Sequence, residues 1–329
     1  MTTRSASSGQ GEVRRFVVPI AAEGERLDRF LVAAFPELSR TRLQELVKAG
    51  AVRVAGELAV RSSRLLVADE VVEIEFAPPS IARDEDFGDL ELSIVYEDEW
   101  FAIVDKPAGL LSHPGNHTVG PSVSGLARRR WGELPALQGD DRPGIVHRLD
   151  VGTSGLMVIG REQAAFEHLL TQFRERQVEK TYYAIVHREP RFDTGWIEAP
   201  IGRSSRHPDR MSVVPAGEGR DAATYYEVLE RFEGFGYLAC RPKTGRTHQI
   251  RVHLAHVDHP LVADPLYRRA GPHAAKLAAD APVPTRQALH AGGLVLTHPK
   301  TGERLTFESP LPADLAALLA WLRELHAKK

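Results

Sequence analysis

The chain has 329 residues, of which 43% are hydrophobic and 26% are charged, and its formal net charge is -2. This length suits about two domains, and the composition is that of an ordinary globular protein. No apolar run approaches the ~18 residues of a membrane span, and the Ser/Gly-rich start lacks the apolar segment of a secretory signal. The single cysteine, Cys240, excludes an intrachain disulfide and a cysteine zinc site, so we expect a cytoplasmic protein.

The first part of the chain predicts a small α/β module over 12–76, behind a disordered tail at 1–11. Apolar residues recur at helical spacing in two segments and alternate in the segments that flank them. The predicted elements are, in chain order, a strand (13–20), a helix (26–35), a second helix that begins after Ser39 and ends at Gly50, a hairpin turn (55–56) and a strand (71–76).

The low net charge hides an uneven distribution of charge. Residues 24–66 hold eight basic and five acidic residues, a net of +3, whereas residues 69–99 hold twelve acidic residues and one arginine. The second predicted helix carries Arg40, Arg42 and Lys48 on its polar face. Such a cationic face suits phosphate binding, and a solvated face without function is the alternative.

Residues 77–89 have no periodicity, two prolines and an acid cluster, and are predicted to be a linker. From 90 to 329 short strands dominate. Their irregular spacing favours an α+β fold, with a mixed, largely antiparallel central sheet flanked by helices. The strands are predicted at 92–96, 101–104, 155–159, 181–186, 225–229, 237–241, 294–296 and 305–307, and the helices at 122–131, 163–176, 247–257 and 314–325.

One carboxylate is distinguished by its surroundings, in the segment His147-Arg148-Leu149-Asp150. Turn-forming residues follow it, and then the apolar run 156–159, which predicts a buried strand. Asp150 is therefore expected at the edge of a core, where a charge is costly unless it is paired. The motif Arg-Leu-Asp also occurs at 26–28, where an acidic residue suits the first turn of a helix. Asp150 is a catalytic candidate, and a structural ion pair is the alternative.

A catalytic carboxylate in a nearly closed pocket needs a cationic partner that favours its ionised form and fixes its orientation. Arg246 and Arg251 are both available, in a segment where Thr247 is predicted to cap a helix. If the substrate is a base taken out of a stack, an aromatic ring is expected to replace the lost stacking. Tyr182 and Tyr183 are adjacent on a predicted strand, so one of them faces the pocket and the other the core.

Histidines provide the other candidate site. His253, His256 and His259 are evenly spaced, which would suit a metal ion, but no H-E-x-x-H pattern occurs and chance easily gives this spacing among 14 histidines. No Gly-rich loop has the spacing of a P-loop or a dinucleotide-binding loop, and G-x-S-x-G is absent. We therefore predict polar histidines that bond within the protein, and no metal site.

Several motifs, in the same order and with similar gaps, resemble those of the RluA family of RNA pseudouridine synthases over about 90–310. Residues 24–76 resemble the small RNA-binding domain that many such synthases share with a small-subunit ribosomal protein. Ala263 is a departure, since the family commonly has glycine there. The motifs are Asp105-Lys106-Pro107-Ala108-Gly109-Leu110, residues 144–150, Thr153-Ser154-Gly155, Lys180-Thr181-Tyr182, residues 244–253, residues 259–262 with Asp264-Pro265, and residues 286–291.

The resemblance implies that uridine in RNA is isomerised to pseudouridine without a metal or an organic cofactor. The uracil is flipped out, detached from the ribose and rejoined through a ring carbon. By the resemblance, Asp150 is the essential aspartate, Tyr182 packs on the target base, and Arg251 pairs with the aspartate. Arg148 is implied to fill the space that the flipped base leaves. The resemblance leaves open whether Asp150 attacks the sugar or removes a proton from it.

The expected partner is structured RNA, with large-subunit ribosomal RNA as the preferred candidate for the substrate and transfer RNA as the alternative candidate. Arg246, Arg40, Arg42 and Lys48 are expected to contact it, and we expect a monomer that needs no protein partner or membrane. The alternatives are a non-catalytic RNA-binding protein on the same fold, a metal-dependent hydrolase and a glycosidase. The intact catalytic set argues against the first, and a glycosidase normally needs two opposed carboxylates.

Overall fold

The structure is a computed structural model, in which the chain divides into two compact units. The first comprises 1–81 and 136–142, and the second comprises 82–135 and 143–329. Within the described residues, no helix is both long and apolar enough to cross a membrane. The structure describes residues 4–5, 12–35, 40–59, 61–76, 87–114, 120–136, 142–205, 207, 210–268 and 277–327.

The described part of the first unit is a small antiparallel sheet packed with two helices. Leu27, Leu31 and Leu43 from the helices are buried in one core with Val52 and Ile74 from the strands. The strand order is β1-β2-β5-β3-β4. The strands are β1 (Arg4–Ser5), β2 (Glu12–Val17), β3 (Val52–Val54), β4 (Glu57–Leu58) and β5 (Val71–Phe76), and the helices are α1 (Leu27–Ala34) and α2 (Arg40–Lys48).

These elements follow the apolar periodicity of the sequence. The predicted hairpin turn lies between β3 and β4, where Ala55 has a φ of 53° and Gly56 a φ of 80°. Two successive positive φ angles are what a type I′ hairpin turn requires. Lys48 is exposed at the end of α2. Ser39 and the side chains of Arg40 and Arg42 lie outside the described residues.

The second unit is built on a sheet with the strand order β10-β13-β14-β9-β15-β8-β7-β6, and β16 also pairs with β15. Only the pairing of β15 with β8 is parallel among the described strands of this sheet. The predicted α+β fold with a mixed, largely antiparallel sheet is confirmed. The strands are β6 (Ser93–Glu97), β7 (Phe101–Lys106), β8 (Ser154–Gly160), β9 (Glu179–His187), β10 (Thr194–Glu198), β11 (Ile201–Arg203), β12 (Met211–Val213), β13 (Ala223–Phe232), β14 (Phe235–Pro242), β15 (Leu289–Thr297) and β16 (Arg304–Glu308), and the helices are α3 (Val123–Trp131), α4 (Gln163–Arg174), α5 (Gln249–His256) and α6 (Ala313–Ala327).

Three short strands of the second unit were not predicted from the sequence, namely β10, β11 and β12, and β1 of the first unit lies in the segment 1–11 that was predicted to be disordered. In β10 (Thr-Gly-Trp-Ile-Glu) only Ile197 is buried, because this strand forms the edge of the sheet. Strands β11 and β12 have three residues each and pair with one another in a separate sheet. Segments this short carry no detectable period-two pattern, which is why the alternation of apolar residues did not indicate them.

The close approach of β8 and β15 sets the position of the loop that precedes β8. Gly155 pairs with Ala291 across this parallel contact and has a φ of 118°. A Cβ atom at Gly155 would lie 2.2 Å from the Ala291 carbonyl oxygen. Ala291 in turn pairs with Tyr182 on β9. The loop containing Asp150 therefore enters the sheet at the level of Tyr182.

We expect Gly155→Ala to lower the free energy of unfolding by about 2–4 kcal/mol, because the added methyl group meets backbone and the residue has a positive φ. Gly245→Ala is the matched control, since no atom lies within 4 Å of its added Cβ, and it should change stability by less than about 0.5 kcal/mol. Urea denaturation followed by circular dichroism measures both. Equal effects of the two substitutions would contradict the close contact between the strands.

Candidate active site

A cleft of about 520 Å³ opens in the second unit at the end of β8 where the loop 146–153 enters. Its walls come from this loop, the end of α4, the start of β9 and the segment that leads from β14 into α5. Most of the sequence-predicted site residues of this unit therefore share one surface. The residues that line the cleft include His147, Arg148, Asp150, Phe173, Arg174, Arg176, Lys180, Tyr182, Arg246, Thr247, His248 and Arg251.

The backbone before and after Asp150 is fixed by buried side chains. The Ser112 hydroxyl donates to the Leu149 carbonyl at 2.8 Å and accepts from the Leu149 N–H at 3.0 Å. Lys106, which is fully buried, donates to the Val151 carbonyl at 3.1 Å and to two other carbonyls. Burial lowers the pKa of Lys106 to about 7, against the opposing effect of the Asp150 charge. One buried amino group thus holds the backbone of the loop next to Asp150.

The next two residues of the loop are held from the segment that leads into β15. Arg286 donates to the Gly152 carbonyl at 3.1 Å, and both carboxylate oxygens of Asp314 accept from its guanidinium at 2.8 and 2.9 Å. The Gln287 amide donates to the Thr153 hydroxyl at 3.1 Å. The backbone of Leu149, Val151 and Gly152 and the hydroxyl of Thr153 are therefore bonded to side chains of the surrounding core.

Asp150 and Asp264 share the guanidinium of Arg251. Arg251 Nη1 donates to Asp150 Oδ2 at 3.0 Å, while Nε and Nη2 donate to the two oxygens of Asp264 at 2.7 and 2.9 Å. Arg251 is 4% exposed and Asp264 is fully buried, whereas 24% of the Asp150 side chain is exposed. The planar guanidinium suits this arrangement, because it can bond one carboxylate through two donors and keep a third for the other.

Asp264 is kept ionised by its donors. Burial acts to raise its pKa, but the hydrogen bonds and charge of Arg251, together with the N–H groups of Leu266 and Tyr267, leave the pKa below its ordinary value. These N–H groups lie 2.8 and 3.1 Å from Asp264 Oδ1. The preceding residue, Ala263, has a φ of 56°. Its left-handed conformation explains why glycine would suit the position that the sequence comparison marked as a departure.

The start of α5 differs from the prediction, because His248 and not Thr247 is the residue that precedes the helix. His248 has a φ of 56° and its side chain forms no capping bond. Thr247 does not cap the helix, which begins after His248, and its hydroxyl accepts a hydrogen bond from Arg148 Nη2 at 2.5 Å. The turn is stabilised by Gln249, whose amide oxygen accepts from the Thr244 hydroxyl and the Arg246 N–H at 2.7 and 3.0 Å.

The second oxygen of Asp150 has no hydrogen-bond donor among the described residues. His248 Nε2 lies 3.9 Å from Asp150 Oδ1, which is too far for a hydrogen bond. Burial lowers the pKa of His248, although the charge of Asp150 opposes this, so the imidazole is neutral at pH 7. Its Nδ1 lies 2.8 Å from the Tyr267 hydroxyl. Asp150 is thus anchored through one oxygen and keeps the other available in the cleft.

Tyr182 is the tyrosine that lines the cleft, whereas Tyr183 packs in the core beside Tyr237 and α6. Tyr183 also lies against the bulge of β15, where a Cβ at Gly292 would be 2.5 Å from its ring. Burial, and then the charge of Asp150, raise the pKa of Tyr182. Its phenol therefore stays protonated at neutral pH, so it can donate a proton or a hydrogen bond but is not a phenolate base.

The other predicted site residues fall into two groups. Arg148 is exposed at the cleft, and its bond to Thr247 joins the two loops that carry Asp150 and Arg251. Arg246 also lines the cleft, but its Nε donates to the Asp221 carbonyl at 3.0 Å. Lys48 belongs to the first unit, together with the helix that carries Arg40 and Arg42.

Of the histidine triplet, His253 bonds within the protein through its side chain, whereas His259 Nδ1 is buried without a hydrogen-bond partner among the described residues. His253 is buried, with Nδ1 at 2.9 Å from the Thr224 hydroxyl and Nε2 at 3.0 Å from the Ala199 carbonyl oxygen. Both of its ring nitrogens are therefore occupied. In the part of the chain that the structure describes, no three His, Cys, Asp or Glu side chains converge as metal ligands would.

Sequence reasoning gave no role to three residues that shape the site, namely Lys106, His248 and Asp264. Asp264 directly follows the apolar run Leu261-Val262-Ala263. Lys106 is the last residue of the apolar strand β7. A charged residue at the end of an apolar run could therefore have indicated Asp264 and Lys106, but only Asp150 was singled out.

Comparisons with known proteins show which family the chain resembles. Residues 101–256 match the family model described as RNA pseudouridylate synthase, and residues 25–72 match the S4 domain. The chain is 40% identical to an uncharacterized RNA pseudouridine synthase, YlyB, of Bacillus subtilis (92% of this chain, 95% of the relative). It is also 40% identical to ribosomal large subunit pseudouridine synthase D of Xanthomonas campestris (100% of this chain, 98% of the relative). Human RNA pseudouridylate synthase domain containing 4 has a similar structure, with a TM-score of 0.54, 26% identity and coverage of 70% of this chain and 93% of that chain.

We expect Asp264→Asn to lower the free energy of unfolding by about 3–5 kcal/mol at pH 7, because it leaves the buried Arg251 without its bidentate partner. Since the folded-state pKa of Asp264 is depressed, its contribution is present above about pH 4 and is lost as the pH falls below that value. The difference between wild type and variant should therefore narrow in acid. Chemical denaturation between pH 3 and 7 measures it.

Glu230→Gln is the matched control for this prediction. Glu230 also accepts two hydrogen bonds from one arginine, Arg323, but this pair lies at the surface. Its loss should cost less than about 1 kcal/mol. A similar cost for the two substitutions would show that burial of the Arg251 pair does not matter to stability.

Proposed function

The chain belongs to the RNA pseudouridylate synthase family, and from this premise we propose that it isomerises specific uridines of large-subunit ribosomal RNA. Its activity as an RNA pseudouridine synthase follows from the family match and from relatives that are 40% identical over nearly their full length. The choice of ribosomal RNA is supported by the name of the Xanthomonas campestris relative and by the S4 match at 25–72.

The observation that carries the catalytic assignment is the asymmetric anchoring of Asp150. Arg251 binds one carboxylate oxygen at 3.0 Å, and the other oxygen has no donor among the described residues and lies in the cleft. Attack on the sugar and removal of a proton from it both require an oriented, ionised carboxylate with a free oxygen. The fixed loop around Asp150 supports either role, because it holds the reacting oxygen in place before the RNA arrives.

Tyr182 and Arg148 are the residues that we assign to the flipped nucleotide. The Tyr182 ring provides a surface for the uracil, and its protonated phenol can hydrogen-bond the ring while one proton passes from the ring carbon that joins the sugar to the ring nitrogen released from the sugar. Arg148, exposed at the cleft and joined to Thr247, is suited to occupy the gap that the base leaves in the stack. Arg246 is assigned to contact RNA beside it. The proposal therefore divides the cleft into a reacting carboxylate, a ring for the base and a cationic rim.

Several further properties belong to the same proposal. An isomerisation moves bonds within one nucleotide and needs no net oxidant or reductant, which supports a reaction without a cofactor. The described cleft lies within the second unit and does not call for a residue from another chain, which supports a monomer. The single cysteine is buried, which fits a cytoplasmic enzyme.

We expect Asp150→Asn to abolish pseudouridine formation while the protein stays folded, because the substitution keeps the shape and removes the charge. The measurement is a pseudouridine map of total cellular RNA from the wild-type strain and from a strain carrying the variant. Sites that disappear from the large-subunit ribosomal RNA establish both the activity of Asp150 and the substrate. Sites that disappear from another RNA instead would identify that RNA as the substrate and would leave the catalytic role of Asp150 unchanged.

Asp193→Asn provides the matched control for this map. Asp193 is an exposed carboxylate that pairs with Arg231 outside the cleft, so its map should equal that of the wild type. An unchanged map in the Asp150→Asn strain, with the protein folded and abundant, would remove Asp150 from catalysis and favour an RNA-binding protein on the same fold.

We also propose that α2 of the first unit binds RNA phosphates without reading sequence. Replacing Arg40, Arg42 and Lys48 together by glutamine should weaken binding and reduce the slope of log K against log salt by about 2–3, while turnover at saturating RNA stays close to that of the wild type. Filter binding at several salt concentrations, with parallel kinetics, measures both quantities.

Arg15→Gln is the control within the same unit, because Arg15 already pairs with Glu73 at 2.6 Å. Its removal should change the slope of log K against log salt by less than the loss of one phosphate contact would. A triple variant that loses turnover at saturating RNA would refute this division of labour between the two units.

A further inference from the structure

The cleft extends beyond Asp150 and Tyr182 to a second end, formed by the last turn of α4 and the first residues of β9. Phe173, Arg174, Arg176 and Lys180 line this end. Lys180 and Tyr182 are two residues apart on one strand, so their side chains lie on the same face, about 7 Å apart along β9. A ligand that reaches from the ring of Tyr182 toward α4 therefore meets Lys180 next.

Lys180 is a cation without a counter-charge. Among the described residues, no hydrogen bond or ion pair of its Nζ is found, although the side chain is half-buried. Its ammonium lies 5.9 Å from the centroid of the Phe173 ring, which fixes its position against α4. Burial lowers the pKa of Lys180, so its charged form is incompletely compensated in the free protein. A bound anion would provide the missing partner.

His147 adds no charge beside Lys180. Its ring stacks on Phe173, with centroids 4.5 Å apart and an angle of 17° between the planes. The Val158 N–H donates to His147 Nε2 at 3.0 Å. Burial, and then the charge of Lys180, lower the pKa of His147 to about 3, so the ring is neutral. The stack is therefore an apolar support that leaves the lysine as the charged group of the wall.

Two arginines border the same end of the cleft. Arg174 makes only weak local contacts, with the Thr171 hydroxyl at 3.3 Å and Glu175 at 3.9 Å. Arg176 has a φ of 63°, a left-handed conformation just after α4 where glycine is the usual residue. No hydrogen bond or ion pair of the Arg176 guanidinium is found among the described residues. This end therefore presents three cations against the single carboxylate of Glu175.

We propose that Lys180, with Arg174 and Arg176, binds a phosphodiester of the RNA strand adjacent to the uridine that Tyr182 and Asp150 hold. The inference rests on the proposed function, since it extends the bound uridine by one step along its strand. A phosphodiester fits because it supplies several acceptor oxygens and one negative charge to a site that has donors and an excess of positive charge. The half-buried lysine makes the central contact, and the exposed arginines border it.

The test uses the full chain and a large-subunit ribosomal RNA transcript, and compares Lys180→Gln with wild type. The dissociation constant and KM should rise about 10- to 100-fold, because one charge-assisted contact is lost, while kcat at saturating RNA stays within about twofold. The slope of log K against log salt should fall by about 0.7–0.9. Lys180→Arg should restore most of the affinity, since it restores the cation.

Arg176→Gly separates binding from folding. Glycine suits the positive φ at this position, so the melting temperature should stay within about 2 °C of wild type while the RNA affinity falls. Arg304→Gln is the matched control, because Arg304 is a surface cation outside the cleft whose charge is already balanced by Glu179. Its affinity and salt slope should equal those of the wild type.

A single neutral methylphosphonate next to the mapped uridine gives the sharpest comparison. In the Asp150→Asn protein, which does not turn over, the neutral linkage should bind more weakly than the ordinary phosphodiester. In the double variant Asp150→Asn/Lys180→Gln, the two RNAs should bind equally. Equal losses with and without Lys180, or an unchanged salt slope in Lys180→Gln, would overturn the phosphate contact. Absence of pseudouridine in ribosomal RNA treated with the wild type would overturn the proposed function instead, and the salt-slope comparison of Lys180→Gln with wild type does not depend on that result.

Discussion

The guanidinium of Arg251, shared between Asp150 and Asp264, is the interaction on which the rest of the site depends. A buried arginine needs acceptors for its donors, and a buried aspartate needs a cation, so these residues fix one another. Arg251 and Asp264 stabilise the folded state, whereas Asp150 bonds Arg251 through only one of its two oxygens. The structural pair thus orients a third group that is left partly free, and the stability of the core and the geometry of the reacting carboxylate have the same origin.

The loop around Asp150 shows the same division between fixed and available groups. Its backbone is bonded to Ser112, Lys106 and Arg286, and its Thr153 hydroxyl to Gln287, so the position of Asp150 is set by polar side chains in the core rather than by the regular pairing of a strand. This arrangement has a physical reason. A residue inside a strand has its backbone groups occupied and its side chain on one face of the sheet, whereas a loop held at both ends can direct a carboxylate into a cleft.

Much of the architecture could be predicted from the sequence, because apolar periodicity reports burial. The apolar run 156–159 indicated β8, and the helical spacing in the first unit indicated α1. The short edge strands gave no such signal, since only Ile197 of β10 is buried. The kinds of residue in the site could be predicted from the chemistry, namely a carboxylate, an arginine and a tyrosine. The choice of Arg251 over Arg246 came from the resemblance to the family. The helix cap at Thr247 was wrong because the helix begins one residue later, after His248 in a left-handed conformation. The Thr247 hydroxyl instead bonds Arg148, 99 positions away in sequence, and no local pattern reports such a distant contact.

The central position of β15 has a consequence for how the second unit is assembled during synthesis. This strand lies between β9 and β8, yet it begins at residue 289, so one group of strands (β6–β8) and another (β9–β14) are complete before the strand that joins them leaves the ribosome. Until then the edges of β8 and β9 are unpaired and open to association with other chains. Arg286 and Gln287, which hold the loop of Asp150, arrive immediately before β15. Closure of the sheet and completion of the active site are therefore one late event, and a nascent chain that stops short of it has neither.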